Sequence, residues 1–331
     1  MDPVTHTLTG LVLARAGADR LGPYATAAVV AGAVLPDADS LLLLGGAGFY
    51  LRHQGAWMHS LLGGAVLGLM VTLAVWLATR NKKKRPRPAG LAAAGLLGVG
   101  SHLALDTATL YGPQLLWPFK TAWYSLNWFP TVDPWLLVLL LFGLGLPFLF
   151  RLISEEIGAG RSPRLPVGAW ITLALVLVLA AGRMSWHDSA LRQFESRLYR
   201  GRSPRRVEAF PSALSPLRWR GVIETDATYE VVERTLQGTQ DEPENVATFY
   251  KPEPSSALEA ALAAPTAKAF LAWARFPRAA LTAFGSGWRV ELSDLRDTVE
   301  GARWRNYVAV IELGPDLEVE SEEVRLAAGD Q

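Results

Sequence analysis

Histidine and aspartate gather in the first third of the chain at spacings that suit a metal ion. His53 and His59 stand six apart in the stretch Arg52–Ser60, at the start of a long apolar run. The Asp-rich turn Leu35-Pro36-Asp37-Ala38-Asp39 lies shortly before it, and the run His102-Leu103-Ala104-Leu105-Asp106 ends the next apolar segment. His102 and Asp106, four apart at the end of a predicted helix, project from one helix face, a spacing that suits two ligands or one ligand with its supporting carboxylate. Asp37 and Asp39 follow a proline and can aim both carboxylates one way. His53 is expected in a loop and His59 at the opening of a helix, because six residues do not share a helix face. With His6, the set offers four of the chain's five histidines and three aspartates. The chain has no cysteine, so any ion must be held by imidazole and carboxylate, a donor set that suits Zn²⁺ or a comparable divalent ion, one or two in number. Two ions can hold the attacking and leaving oxygens of a phosphate displacement.

Each member has a plainer reading when taken alone. Asp37 and Asp39 after Pro36 could be an ordinary helix cap with first-turn charge. The His102/Asp106 pair could be a buried hydrogen bond, and Thr5 and Thr7 beside His6 could cap the first helix. The fifth histidine, His187, beside Trp186 and Asp188, reads as an interfacial side chain. Convergence of the rest on one face of a membrane favours a metal site, because ionisable groups in or beside apolar spans are costly and functional by default.

The elements that must position these residues are apolar helices. Half of the 331 residues are apolar, concentrated before about residue 185, with charge collecting after it. Leu61–Ala78 is uncharged and long enough to span, with Gly64 and Gly68 as a small-xxx-small packing face. Ala89–Leu105, Pro134–Phe150 and Leu165–Gly182 are further apolar runs, while Leu8–Ala18 and Leu21–Pro36 form a shorter helical hairpin whose outer ends bring His6 and Asp37 to one level. Leu41–Leu51 is a short apolar piece leading to His53. The Met-Asp-Pro start lacks the basic region of a cleaved signal peptide. The basic loop Arg80–Pro88 and the connection carrying Arg151, Arg161 and Arg164 mark the cytoplasmic side. That orientation places His6, Asp37, His53, His59, His102 and Asp106 at the outer face. Residues Asp106–Asp133 form an aromatic-rich interfacial loop.

After Gly182 the chain becomes polar. Arg192–Arg206 is basic, Phe210–Glu233 has strand composition, Ser255–Arg275 reads as one amphipathic helix with Leu258, Leu262, Phe270 and Trp273 on its apolar side, and Gly287–Leu295 and Arg303–Leu313 alternate as paired strands. The expected architecture is mainly α: a polytopic helical membrane domain over 1–186 and a soluble α+β domain over 187–331, outside the cytoplasm. The formal net charge of +1 argues against a nucleic-acid partner.

The motifs Thr5-His6-Thr7, Leu35-Pro36-Asp37-Ala38-Asp39, His53-Gln54-Gly55 with His59-Ser60, and His102–Asp106 followed by Tyr111-Gly112 and Trp117-Pro118 resemble the YdjM-like family of membrane-bound metal-dependent hydrolases. The resemblance covers roughly residues 1–185 and implies a multi-pass inner-membrane protein. The motif order is also distantly similar to the all-helical zinc-dependent phospholipase C and P1 nuclease fold. There, a histidine near the N-terminus, an aspartate, a histidine and a His-xxx-Asp pair bind zinc. That similarity implies His6, Asp39 or Asp37, His53, His102 and Asp106 as ligands; no later His-xxx-Glu set completes a third metal position. On this reading Asp37 is a ligand or general base, and His59 is a ligand or proton donor. A metal-activated water would attack a phosphoester of a membrane lipid or lipid-linked substrate. The rival readings are a non-enzymatic membrane scaffold with a structural ion and a transporter with ligands spread through the bilayer.

Overall fold

A computed structural model describes residues 1–156, 166–237, 245–298 and 307–326. Arg161 and Arg164 of the second basic connection, and the first residues of the expected strand Arg303–Leu313, lie outside them. The chain divides into two compact units, Met1–Asp39 with Gly55–Arg183, and Ser40–Gln54 with Met184–Gln331.

The first unit is helical. Helix α1 (Pro3–Ala16) begins at Asp2, whose carboxylate accepts the Thr5 N–H, and Pro3 takes the first helical position, where no N–H is needed. Gly17, at φ 144°, ends it, and α1 folds back on α2 (Ala25–Val34), forming the expected hairpin. A 3₁₀ stretch, Leu35–Gly45, carries the Asp-rich turn. Helix α4 (Leu61–Thr79) is capped by the Ser60 hydroxyl, which accepts the Gly63 N–H, and α5 (Pro88–Thr107) again starts on a proline.

Small residues set how closely these helices approach. A Cβ on Gly98 of α5 would lie 2.1 Å from the Val29 carbonyl oxygen of α2, so the backbones touch there. Gly64 and Gly68 of α4 face Val99, Leu103 and Leu96 of α5. Close backbone approach is the expected packing mode where lipid removes the hydrophobic drive between helices.

Helix α6 (Pro134–Glu156) packs on α1, and α7 begins at Val167. Among the described residues four helical stretches are long and apolar enough to cross a membrane: Ala25–Gly45, Leu61–Thr79, Pro88–Thr107 and Val167–Glu195. Their outward leucines, such as Leu73 at 55% and Leu177 at 71% exposure, would be costly in water and suit lipid. At the start of α6, Asp133 accepts the Leu136 N–H and pairs at 2.5 Å with Arg183, both side chains fully buried.

Helix α7 runs to Glu195, past the end of the apolar run at Gly182. Its polar continuation stays helical because Ala190 and Phe194, four apart, bury against Trp219, Ile223, Val232 and Ala209 of the second unit. That unit holds two antiparallel four-stranded sheets in simple meander order. One is β1 (Arg206–Pro211), β2 (Arg218–Glu224), β3 (Thr228–Thr235) and β4 (Asn245–Tyr250); the other is β5 (Pro277–Phe284), β6 (Gly287–Asp294), β7 (Tyr307–Leu313) and β8 (Val319–Leu326). The expected pairing of the last two alternating runs is β6 with β7, Val290 opposite Ile311. The single helix expected over Ser255–Arg275 is two, α8 (Ser256–Ala263) and α9 (Pro265–Trp273). Pro265 forces Ala264 out of the helical region, to ψ 145°, and then serves as the first residue of α9. Helix α3 (Ala47–His53) belongs to this unit and packs on α9 and β8.

Candidate metal centre

Four elements of the helical unit bring imidazoles and carboxylates together. His6 projects from the first turns of α1, Asp37 and Asp39 from the 3₁₀ stretch after α2, His59 from a 3₁₀ turn (Trp57–His59) just before α4, and His102 and Asp106 from the last turns of α5. His6 and His102 are fully buried, Asp39, His59 and Asp106 nearly so, and Asp37 is partly exposed. The tight turn that carries His59 depends on Gly63: a Cβ there would lie 1.6 Å from the Trp57 carbonyl oxygen.

Asp106 is the hub. His6 Nε2 lies 3.2 Å from its Oδ1, while His102 Nε2 and His59 Nε2 lie 3.2 and 3.4 Å from its Oδ2. The Met1 amino group also donates to Oδ1. On the other side of His59, Nδ1 lies 3.3 Å from Asp39 Oδ2, and the same carboxylate oxygen accepts the Gly55 N–H at 3.3 Å. The His6 and His102 rings stack at 3.8 Å, aiming their Nε2 atoms at the two oxygens of one carboxylate.

His102 carries the most information. Its Nδ1 lies 2.8 Å from the Ala33 carbonyl oxygen, which can only accept, so Nδ1 bears the hydrogen and, in the neutral ring, Nε2 is a bare lone pair. That nitrogen makes no hydrogen bond among the described residues, yet lies 3.2 Å from Asp106 Oδ2 and 3.8 Å from Asp37 Oδ1. A lone pair there would face two carboxylates unfavourably; either a second ring proton donated toward Asp106 or a metal ion among these groups relieves that. Orientation of an imidazole by a backbone carbonyl on its far nitrogen is the usual support for a metal-binding histidine. The spacing also fits. Two N or O donors about 2.0–2.1 Å from one tetrahedral ion stand about 3.3 Å apart, and the contacts around Asp106 and His59 span 3.2–3.4 Å. Asp37 Oδ2 and His6 Nδ1 likewise make no hydrogen bond among the described residues. His6 lies outside the four spans, and burial lowers its pKa to about 4 against the pull of Asp106, so it is a neutral imidazole at physiological pH.

Two sets of ligand atoms fall within 4.8 Å of one another, His6/His102/Asp106 and Asp37/His59/His102. A neutral His102 offers one lone pair and so could serve one ion. Asp106 presents Oδ1 to His6 and Oδ2 to His59 and His102, so the cluster suits one ion or two that share this carboxylate. The donor set therefore fits a divalent metal.

His53 is placed elsewhere. It is the last residue of α3, helical rather than in a loop, exposed, with its ring against Phe49 and Nδ1 2.8 Å from the Phe49 carbonyl oxygen. It belongs to the second unit and to neither of these ligand sets. His59 does not open α4 but precedes its cap, Ser60. Two contributors carry no sequence signal of their own: the Ala33 carbonyl, a backbone atom, and Gly63, whose role is the space it leaves.

Comparison with known proteins agrees with the helical unit's character. The model of the family described as YdjM inner membrane protein matches residues 1–188. A protein of Bacillus subtilis (strain 168) described as "Uncharacterized protein YfhP" is 24% identical, over 97% of this chain and 94% of its own. No solved structure matches the chain.

Proposed function

The chain belongs to the YdjM inner membrane protein family, and on that premise we propose that it is a metal-dependent hydrolase that cleaves a phosphoester of a membrane lipid or lipid-linked substrate. The observation that supports this best is the buried His102 lone pair, fixed by the Ala33 carbonyl and aimed among carboxylates. His6, His102, Asp106, His59 and Asp39 would hold the ion, Zn²⁺ by its donor chemistry, with Asp37 as a further ligand or the general base, and the family motif adds His53 as a candidate. When bound, such an ion acidifies water and offsets charge on phosphoryl oxygens.

The chain's own groups divide the remaining work. Asp37 is the most exposed carboxylate of the cluster and its Oδ2 is free of hydrogen bonds among the described residues, which suits it to take a proton from the attacking water. His59, with Asp39 Oδ2 3.3 Å from its Nδ1, is suited either to ligate or to return a proton through Nε2 to the leaving oxygen. The apolar walls of α2, α4 and α5 exclude bulk water on one side of the cluster and leave lipid as its neighbour.

The loop Arg80–Pro88 joins the ends of α4 and α5 opposite to those bearing His59 and Asp106. With that basic loop cytoplasmic, the cluster lies at the outer face of the inner membrane, and the chain leaves the last span outward toward the C-terminal unit. The phospholipase C likeness rests on motif order alone, so the substrate class follows from location.

The test is metal content of the detergent-purified protein by elemental analysis, on wild type and on the His102→Ala/Asp106→Ala double variant, followed by phosphodiesterase and phospholipid-hydrolysis assays. Stoichiometric metal and hydrolysis, both lost in the variant, are expected. Metal without hydrolysis would leave a scaffold with a structural ion, and no metal in the wild type would end the proposal.

A further inference from the structure

A second chemistry-bearing feature lies in the C-terminal unit. The fifteen residues Arg192–Arg206 carry six arginines and one acid, Glu195, a local charge of +5 (6 − 1) in a chain whose total is +1. Their fold concentrates that charge. Helix α7 ends at Glu195, the chain turns back at Arg200-Gly201, both at positive φ (52° and 76°), and Tyr199 and Arg202 exchange backbone hydrogen bonds at 2.9 and 3.0 Å. Successive positive φ at two central residues is the tight turn that reverses a chain within two residues. The returning arm enters β1 at Arg206.

The crook between the helix end and the strand start is an open-sided cavity of ≈ 520 Å³. Arg197, Arg205 and Arg206, the hydroxyl residues Ser196 and Ser203, and Glu195 line it with three apolar residues. That volume is within the range of about 300–1,000 Å³ typical of small-molecule sites.

The arginines are partly organised already. Arg206 donates from Nη1 to the Arg275 carbonyl oxygen at 2.8 Å, and its guanidinium lies 4.5 Å from the Phe276 ring centroid. Arg205 pairs with Asp226, and Arg206 lies 3.6 Å from Glu208. These pairs leave capacity, since each guanidinium has five N–H donors. The Arg205–Asp226 pair is well exposed on both sides, and such pairs stabilise little. Planar, forked guanidinium groups with serine hydroxyls between them match the tetrahedral oxygens of a phosphate.

We propose that this arginine-lined crook is a binding site for a phosphate group, carried either by an anionic phospholipid headgroup or by a soluble phosphate ester. The site is independent of the metal cluster, sharing no residue with it. It lies at the C-terminal end of the helix that carries the last apolar run, thirteen helical residues or about 20 Å past Gly182, and its basic charge suits an anionic headgroup. Its hydroxyls and open side accept a soluble ester equally.

The experiment uses the full chain in neutral detergent, titrated by calorimetry at low and physiological salt with two probes: glycerol 1-phosphate, and short-chain dihexanoyl phosphatidic acid below its micelle concentration. Wild type is compared with Arg197→Gln/Arg205→Gln/Arg206→Gln, and with a control of equal charge loss on the same unit, Arg218→Gln/Arg278→Gln/Arg325→Gln. With a chelator present to keep the metal cluster empty, saturable binding of one phosphate per chain, weakened at least tenfold in the first triple variant and under threefold in the control, is expected. Binding of both probes assigns a soluble ester as sufficient; binding of the lipid probe alone assigns the headgroup. A charge-keeping variant, Arg197→Lys/Arg205→Lys/Arg206→Lys, guards against misfolding of the glutamine form and is expected to bind with intermediate affinity, because ammonium groups keep the charge and lose the fork. Absence of binding by either probe, or equal losses in the cavity and control variants, would overturn the assignment.

Discussion

Replacing His102 in two ways separates its two nitrogens. Asparagine places its amide nitrogen near the position of Nδ1, so His102→Asn keeps a donor for the Ala33 carbonyl, now 2.8 Å from the imidazole, and offers nothing at Nε2. Glutamine reaches the Nε2 position with an amide oxygen, so His102→Gln keeps a weak ligand atom and leaves the Ala33 carbonyl without its partner. Ala33 and His102 are both fully buried. A buried acceptor stripped of its donor costs about 1–3 kcal/mol, so without metal the glutamine form should be the less stable by about that amount. With metal the order of effects changes. At a free Zn²⁺ concentration of 100 times the wild-type Kd, binding stabilises the native state by about 2.7 kcal/mol. If His102→Asn weakens binding a hundredfold, the gain at the same concentration is RT ln 2, about 0.4 kcal/mol. Thermal unfolding of each variant with chelator and with buffered Zn²⁺ measures both terms, and competition with a chromophoric chelator gives the affinities directly. Wild-type zinc affinity in His102→Asn would refute the assignment of Nε2 as the ligand atom, and equal metal-free stability of the two variants would refute the role given to Ala33.

Two further perturbations test the supports of the two units. Gly63→Ala puts a methyl 1.6 Å from the Trp57 carbonyl oxygen and must displace the turn that carries His59; zinc affinity should fall about 10–100-fold, as for loss of an orienting group, while Gly100→Ala on α5, where a Cβ meets nothing within 4 Å, should leave affinity unchanged in the same competition assay. In the C-terminal unit, Asp294 accepts from the Arg275 and Arg296 N–H groups and from Arg296 Nε at 2.8–2.9 Å, with both side chains essentially buried, so Asp294→Ala removes the carboxylate paired with a buried guanidinium that keeps its bond to the Trp273 carbonyl. A loss of about 3–5 kcal/mol is expected in denaturant unfolding followed by tryptophan fluorescence, largely recovered in Asp294→Ala/Arg296→Met, which removes that charge.

Much of the helical unit can be read from residue order because uncharged length is a strong physical constraint. Leu61–Ala78 and Ala89–Leu105 appear within one or two residues as α4 and α5, and the pairing face of Gly64 and Gly68 is used. Length alone misleads where a second property takes over. The apolar run ends at Gly182, but α7 continues because the Ala190/Phe194 stripe finds a sheet to cover it, information held in strands that begin at Arg206. A proline at 265 disfavours helix at Ala264, a break that the apolar stripe continuing on both sides conceals.

The cluster shows the same division. The identities of His6, Asp37, Asp39, His59, His102 and Asp106 are legible because polar groups are scarce in that part of the chain, and the structure brings all six to one place. His53 has the same residue type and a nearby number, and spacing could not separate it from His59; what separates them is that Ser40–Gln54 folds with the other unit. Geometry adds what composition cannot. Asp106 turns one oxygen to His6 and the other to His59 and His102, and a backbone carbonyl on α2 decides which nitrogen of His102 is bare. A hydrogen-bonded cluster without an ion would place a donor between each pair of acceptors. At His102 one proton is committed to Ala33 and Nε2 faces carboxylate oxygens, a position that a divalent cation would fill on the proposed reading.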